Sequence, residues 1–313
     1  MKYYLYTPKD IPKLFEYYGH YSHELYRAFK THRFRTLNPH EADLFITCFS
    51  NEWHYLMKGK KLWDLKATLQ AQGKPKQEIN LEQIQHVCKY VESGPHITFY
   101  HSDTEPSHDN FTNIPYCTFN KNKIIIPPPP LLDLNRYMKN KTRNTTVSFK
   151  GQLTRPDHYG IDHRGNILTH IRTCYPEATI ESPFPSRRDY GDLLGDSLFG
   201  LVIEGDLPWS YRLCEVINSG AIPLIILSNL QDPTGATIHT LPGHDHLSYD
   251  NFSYTIKQHE IKHFFTNTIH DILSNPGKIQ KMQDHLSHVN KNVFFDVPTH
   301  VNFLLQQIRT KIK

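Results

Sequence analysis

The sequence predicts an α/β protein made of two open parallel sheets in succession. Three observations carry this expectation: the length, an alternation of apolar strands with helical periods in each half, and a polar, basic stretch between the halves. At 313 residues the chain exceeds what one hydrophobic core usually serves, so two domains are the first expectation. Hydrophobic residues at 38% and aromatics at 12% are enough to build those cores and do not describe a disordered polymer.

In the first half, Lys2 to Tyr6 is a short β-type run. Leu14, Tyr17, Tyr18, Tyr21, Leu25 and Phe29 recur near every third or fourth position, which predicts a helix over Pro12 to Phe29. After the Asn38-Pro39 turn, Ala42 to Phe49 is almost continuously apolar, as a strand buried on both faces of a parallel sheet must be. Leu81 to Val91 reads as a helix, and His96 to Tyr100 and Lys123 to Ile126 as strands, the last stopped by Pro127 to Pro130. Tyr137 to Asn144 has no apolar period and reads as a linker.

The second half restarts the pattern. Thr146 to Phe149 is a strand ending at Gly151, followed by a helical Ile167 to Cys174. Leu198 to Ile203 is a strand, Tyr211 to Asn218 a helix, Ile222 to Leu227 a strand and Ile256 to Leu273 one long helix. In Val297 to Ile312, Val301, Leu304, Leu305 and Ile308 share one helical face. The expected domains are therefore 1–143 and 144–296, with a closing helix over 297–313 that packs back on the body.

Charge and composition exclude several functions. The formal charge is +4 and Lys and Arg are scattered, so no basic stripe exists to track a nucleic acid. The 21 histidines include no HExxH, and His244-Asp245-His246 lacks a third ligand at a recognisable spacing, so no metal is expected. Five cysteines far apart, with no CxxC, predict reduced thiols. No apolar run approaches the roughly 18 residues of a membrane span, and the first residues do not read as an export signal. The expectation is a cytoplasmic protein with no membrane span.

Chemistry concentrates between Asp196 and Ile226, which read as strand, glycine loop, helix, glycine stop and strand. A helix starting beyond the carboxyl end of a parallel strand points unsatisfied N–H groups and partial positive charge at whatever binds there, and a diphosphate suits that position. Gly205 permits the tight turn, Pro208 suits a first helical turn, and Asp206 or Ser210 can cap it. Arg212 and Glu215, three apart, share one helical face. A guanidinium there pairs bidentately with phosphate, and a carboxylate accepts the two hydroxyls of a ribose. The same spacing equally describes an exposed ion pair on a surface helix.

Ser197, Phe199, Gly205, Asp206, Ser210, Arg212, Glu215, Ile217, Gly220, Ile222 and Pro223 fall in the order of the signature of the exostosin-like glycosyltransferases, glycosyltransferase family 47, which this stretch resembles. Upstream, Val147-Ser148-Phe149-Lys150-Gly151 followed by Arg164 is similar to that family's strand end and the arginine opening its next helix. In the first half, Phe34 to Phe45, Pro95 to Asp103 and Ile124 to Pro128 resemble further family segments, so the likeness spans most of the chain. Gly200 and Ala221 stand where many members carry cysteine, and Glu204 where many carry a basic or neutral residue.

The resemblance implies a GT-B fold, with two Rossmann-like domains whose parallel sheets face across a cleft. It implies inverting transfer of a sugar from a nucleotide diphosphate donor, UDP-linked by the same resemblance, to a glycan hydroxyl. The donor-side residues are then Gly151, Arg164, Gly205, Ser210, Tyr211, Arg212 and Glu215. Phe184 offers a ring to stack on the base, while Pro183-Phe184-Pro185 equally reads as a packed turn. Inversion needs a base on the acceptor side. Asp103, ending a strand with His101 beside it, is the first candidate and Glu204 the second; His20 and His23 follow. With Arg212 and a helix end to neutralise the diphosphate, no metal or other cofactor is required. The alternative is a protein of the same fold that binds a nucleotide sugar or glycan without turnover.

Overall fold

Two five-stranded sheets, every strand pair parallel, are present in a computed structural model of the chain. The structure describes residues 1–7, 20–47, 70–73, 96–100, 111–115, 143–154, 162–182, 187–203, 211–227, 241, 243–244 and 246–311. The chain divides into two compact units: Met1–Thr118 with Asn122–Ile126 and Leu304–Lys313, and Phe119–Lys121 with Pro127–Phe303.

The first unit holds β1 (Tyr3–Leu5), α1 (His20–Thr31), β2 (Arg35–Thr36), β3 (Leu44–Thr47), β4 (His96–Tyr100) and β5 (Phe111–Pro115), with sheet order β2-β1-β3-β4-β5. The apolar runs read as central strands are central, and Tyr3, Leu5, Leu44, Phe45 and Ile46 are fully buried. In α1, Phe29 of the predicted stripe is buried, as is Tyr26 outside it. Tyr3 ties α1 to β1: its hydroxyl donates to the Phe29 carbonyl at 2.7 Å and its ring meets the Phe29 ring edge-on at 5.6 Å. The expected start of that helix before His20, the helix Leu81 to Val91 and the strand Lys123 to Ile126 lie outside the described residues.

The second unit begins with β6 (Thr145–Lys150), α2 (His163–Cys174), β7 (Thr179–Glu181), α3 (Arg187–Asp196), β8 (Ser197–Ile203), α4 (Tyr211–Asn218), β9 (Ile222–Leu227) and β10 (Tyr254–Lys257). Its order, β10-β9-β8-β6-β7, is that of the first sheet counted from its own first strand. Beyond β10 come α5 (Ile261–His263), a π turn (Phe264–Thr268), α6 (Ile269–Leu273), α7 (Pro276–Val289), a second π turn (Asn290–Phe294) and α8 (Val297–Lys311). The single long helix expected from Ile256 is therefore corrected. Tyr254-Thr255-Ile256 pairs with Leu224-Ile225-Ile226 as a strand, as aromatic and β-branched residues favour, and the helix starts later.

Strand alternation sorts the core onto two faces. Val147, Phe149, Phe199, Leu201, Ile203, Ile222, Leu224 and Ile226 form one apolar cluster with Ile167, Leu168 and Ile171 of α2 and with Ile261, Phe265 and Ile269. Each such side chain contributes about 1.5–3 kcal/mol when fully buried. On the opposite face, a methyl group at Gly200 would come within 2.7 Å of both γ-methyls of Val216, so only glycine lets α4 lie this close to β8. That packing accounts for glycine at a position where a side chain was expected from the family.

Arg143 and Asn144, read from composition as the end of a linker, are bound to the amino edge of the second sheet. Arg143 Nη1 donates to the carbonyls of Leu194 at 3.4 Å, Gly195 at 3.1 Å and Ser197 at 2.7 Å, and Nη2 to that of Ser219 at 3.1 Å. Asn144 Nδ2 donates to Asp196 Oδ1 at 3.2 Å. These carbonyls close α3 and follow α4, where a helix leaves its oxygens without intrahelical partners and favours a cation. Cys174 and Cys214 are free thiols, Cys214 buried, and the other three cysteines lie outside the described residues. Among the described residues no helix is long and apolar enough to cross a membrane.

His300 of α8 is buried. Burial holds its pKa down to about 4 from 6.5, against a small opposing pull from the Val293 backbone. The unfolded imidazole takes a proton below pH 6.5 and the folded one only near pH 4, so its contribution is intact above 6.5 and lost as pH falls between those values. The expected loss between about pH 7 and about pH 4.5 is roughly 2 kcal/mol. Urea midpoints near pH 7 and near pH 4.5, for the protein and for His300→Leu, check this: the acid-induced drop shrinks in the variant by that amount.

Candidate functional site

In an open parallel sheet of this order, the connections leave the first and third strands in opposite directions, and ligands bind in the crevice outside their carboxyl ends. In the second unit those strands are β6 and β8, direct neighbours with Val147 beside Phe199. Lys150 and Gly151 close β6, and α4 follows β8 and opens at Tyr211. Glu204, Gly205, Asp206 and Ser210, on the connection from β8 to α4, lie outside the described residues, as do Phe184, His101 and Asp103. His20 and His23 fall in the first turn of α1 in the other unit.

Arg212 is fixed at this crevice. Its Nη1 donates to the Lys150 carbonyl at 2.6 Å and to the Tyr190 hydroxyl at 3.1 Å. Its Cζ stands 4.4 Å from the centre of the Phe149 ring and 5.5 Å from that of Tyr190, both within cation–π range. The other end, Nη2, occupies the space beside Gly151, where any β-carbon would overlap it. The absence of a side chain at Gly151 thus admits a guanidinium to the sheet edge.

Glu215, one turn later, is 8% exposed and accepts from the Tyr190 hydroxyl through Oε2 at 2.5 Å. The reading of Arg212 and Glu215 as an exposed ion pair is therefore corrected. The two do not pair with each other; one buried hydroxyl stands between them. Burial pushes the Tyr190 phenol well above its usual range, with Arg212 pulling it down and Glu215 pushing it further up, so it carries its proton at ordinary pH.

Two more cations and a carboxylate complete the rim. The Lys150 amine, its side chain 7% exposed, pairs with Glu181 Oε2 at 2.7 Å, and the Gly151 amide donates to the Glu181 carbonyl at 3.2 Å. Arg164 lies in the first turn of α2, which Asp162 caps by accepting from the Gly165 amide at 2.8 Å, and its Nη1 donates to the Gln152 carbonyl at 3.4 Å. Gly151, Arg164, Arg212 and Glu215 are thus held around the end of β6, with the Tyr211 backbone opening α4.

Tyr190, Lys150 and Glu181 were not singled out from the sequence. Tyr190 and Leu194 stand four apart and are both buried, so an apolar period through α3 pointed to a tyrosine facing inward, where its hydroxyl needs a partner. For Lys150 the signal was strand alternation: it shares the α4 side of the sheet with Ser148 and Gly200 rather than the side of Phe149.

Chemically, a fixed guanidinium and two helix starts at one sheet edge favour an anion, and the carboxylate of Glu215 offers an acceptor for hydroxyls. Among the described residues no cluster of three or more His, Cys, Asp or Glu side chains is arranged to hold a metal ion.

Comparison with known proteins adds a family. Residues 54–272, well over half of the chain, match the exostosin GT47 domain. No curated protein sequence matches the chain at a significant level. Among solved structures, the Anabaena protein HepE in complex with UDP and glucose aligns over 98% of both chains, at 11% identity and a TM-score of 0.46. WaaG, a glycosyltransferase involved in lipopolysaccharide biosynthesis, aligns over 84% of this chain and 74% of its own, at 11% identity and a TM-score of 0.36. The pneumococcal O-GlcNAc transferase GtfA in complex with UDP and GlcNAc aligns over 86% of this chain, at 12% identity and a TM-score of 0.41. The chain spans only 56% of the length of that transferase.

Proposed function

The chain belongs to the exostosin GT47 family, and from that premise we propose that it is an inverting glycosyltransferase that moves a sugar from a nucleotide diphosphate donor to a hydroxyl of a glycan acceptor. The donor is a UDP-sugar, bound by the second unit. The observation that carries this reading is the guanidinium of Arg212, pinned by the Lys150 carbonyl and the Tyr190 hydroxyl at the crevice between β6 and β8. The two parallel sheets of matching order support a GT-B arrangement.

In this mechanism the acceptor hydroxyl attacks the anomeric carbon from the face opposite the departing phosphate. Its proton passes to a carboxylate or imidazole, for which Asp103, His101 and Glu204 remain the candidates. Charge accumulates on the leaving diphosphate as the bond to the sugar breaks. Arg212 and the amides at the start of α4, after Gly205 and Ser210, stabilise it, and Arg164 adds positive charge from α2. Glu215 accepts from the ribose hydroxyls. Cations and helix ends supply the neutralisation, so transfer proceeds without a divalent metal.

The test is a panel of nucleotide sugars with oligosaccharide acceptors, run with and without EDTA, with linkage analysis of the product. The expected result is transfer from a UDP-sugar with inverted anomeric configuration, undiminished by chelator. Binding of UDP with no product from any acceptor would instead assign a binding protein. Failure to bind UDP or GDP at millimolar concentration, with or without an attached sugar, would reject the proposal.

A further inference from the structure

Arg212 and Glu215 are three apart on one helix, where opposite charges lie within reach of a direct ion pair. In that arrangement the guanidinium spends its charge on its own neighbour and the carboxylate loses its capacity to accept a ribose hydroxyl. The structure shows the two held apart. Tyr190, reaching in from α3 with 1% of its surface exposed, donates to Glu215 and accepts from Arg212 through the same oxygen. Arg212 is thereby turned toward the Lys150 carbonyl, the Phe149 face and the gap beside Gly151 that its own Nη2 fills.

We infer that Tyr190 is a positioning residue of the donor site, whose hydroxyl separates Arg212 from Glu215 and so keeps the guanidinium available to a diphosphate. This rests on the reading of the crevice as a diphosphate site. The physical basis is that a neutral, buried hydroxyl satisfies both charged groups at once while neutralising neither. Removing it leaves a buried carboxylate beside a guanidinium in a poorly hydrated site, and the two then close on each other.

The experiment titrates the full chain with inorganic pyrophosphate and with UDP. Pyrophosphate has no ribose, so it reports on the guanidinium side alone. Tyr190→Phe keeps the ring and its packing, and is expected to weaken pyrophosphate binding about tenfold, equivalent to about 1.4 kcal/mol. Adding Glu215→Gln to that variant removes the charge that captures Arg212, and affinity for pyrophosphate is expected to return to within about threefold of the starting protein. A residue that serves only to pack α3 gives no such reversal. The inference is overturned if Tyr190→Phe binds pyrophosphate as the unmodified protein does, or if the double variant is as weak as the single one. An unmodified protein that binds neither probe overturns the diphosphate reading itself, a result separable from either of those.

Discussion

Replacement of Arg212 by alanine is expected to lower kcat/KM for the nucleotide-sugar donor by about 10²–10³-fold, the effect of removing one preorganised group that faces developing charge. Three features of the arrangement make the effect large. The guanidinium is already oriented before any ligand arrives, by the Lys150 carbonyl at 2.6 Å and the Phe149 ring at 4.4 Å, so little reorganisation accompanies binding. It packs against the buried rings of Phe149 and Tyr190, whose low polarity strengthens its field on that side. Its fork shape lets Nη1 serve the scaffold while Nη2 stands beside Gly151 at the end of β6, which a lysine ammonium does not reproduce. Arg212→Lys is therefore expected to recover only part of the loss. Steady-state kinetics with varied donor, alongside thermal unfolding of each variant, measures this. A change of less than about threefold in Arg212→Ala, with the fold intact, would remove the guanidinium from the mechanism.

The elements that sequence reasoning located and those it overlooked divide along a physical line. β3, β4, β8 and β9 lie inside their sheets, paired on both sides, and their near-continuous apolar runs announced them. The overlooked strands, β2, β5, β7 and β10, are the four edges. An edge strand pairs on one side only and is freer to carry residues such as Arg35, Asn113 and Lys257, so its pattern merges with the loops around it. At the site, Arg212, Glu215 and Gly151 were legible because each sits in a short, chemically marked segment. The hydroxyl that connects two of them was not, because Tyr190 comes from a helix twenty-odd residues upstream and meets them only through the fold. Gly200 shows the complementary case: glycine in a strand looks unfavourable until the γ-methyls of Val216 are seen in the space its side chain would take.

Arg143→Met is expected to destabilise the second unit by about 2–4 kcal/mol. Methionine preserves the length and much of the apolar stem, so the change isolates the loss of four donated hydrogen bonds. A bond to a charged donor contributes about 1.5–3 kcal/mol. The sum is well below four such bonds because they share one guanidinium, the freed carbonyls recover water in part, and burying the cation opposed folding in the first place. That opposition is visible in the direction of its pKa, held down by burial with Asp196 pushing back. Urea midpoints measure the loss, and Arg143→Lys is expected to fall between, since an ammonium satisfies fewer of the carbonyls at once. A shift below about 0.5 kcal/mol in Arg143→Met would show that water replaces the clamp without penalty. The consequence reaches the other end of the sheet. Leu194 and Gly195 belong to α3, which carries Tyr190, and Ser219 follows α4, which carries Arg212 and Glu215. By holding the ends of both helices to one cation, Arg143 fixes the relative placement of the hydroxyl, the guanidinium and the carboxylate. Donor affinity, measured well below the unfolding transition, is therefore expected to weaken in Arg143→Met although no atom of that residue belongs to the crevice.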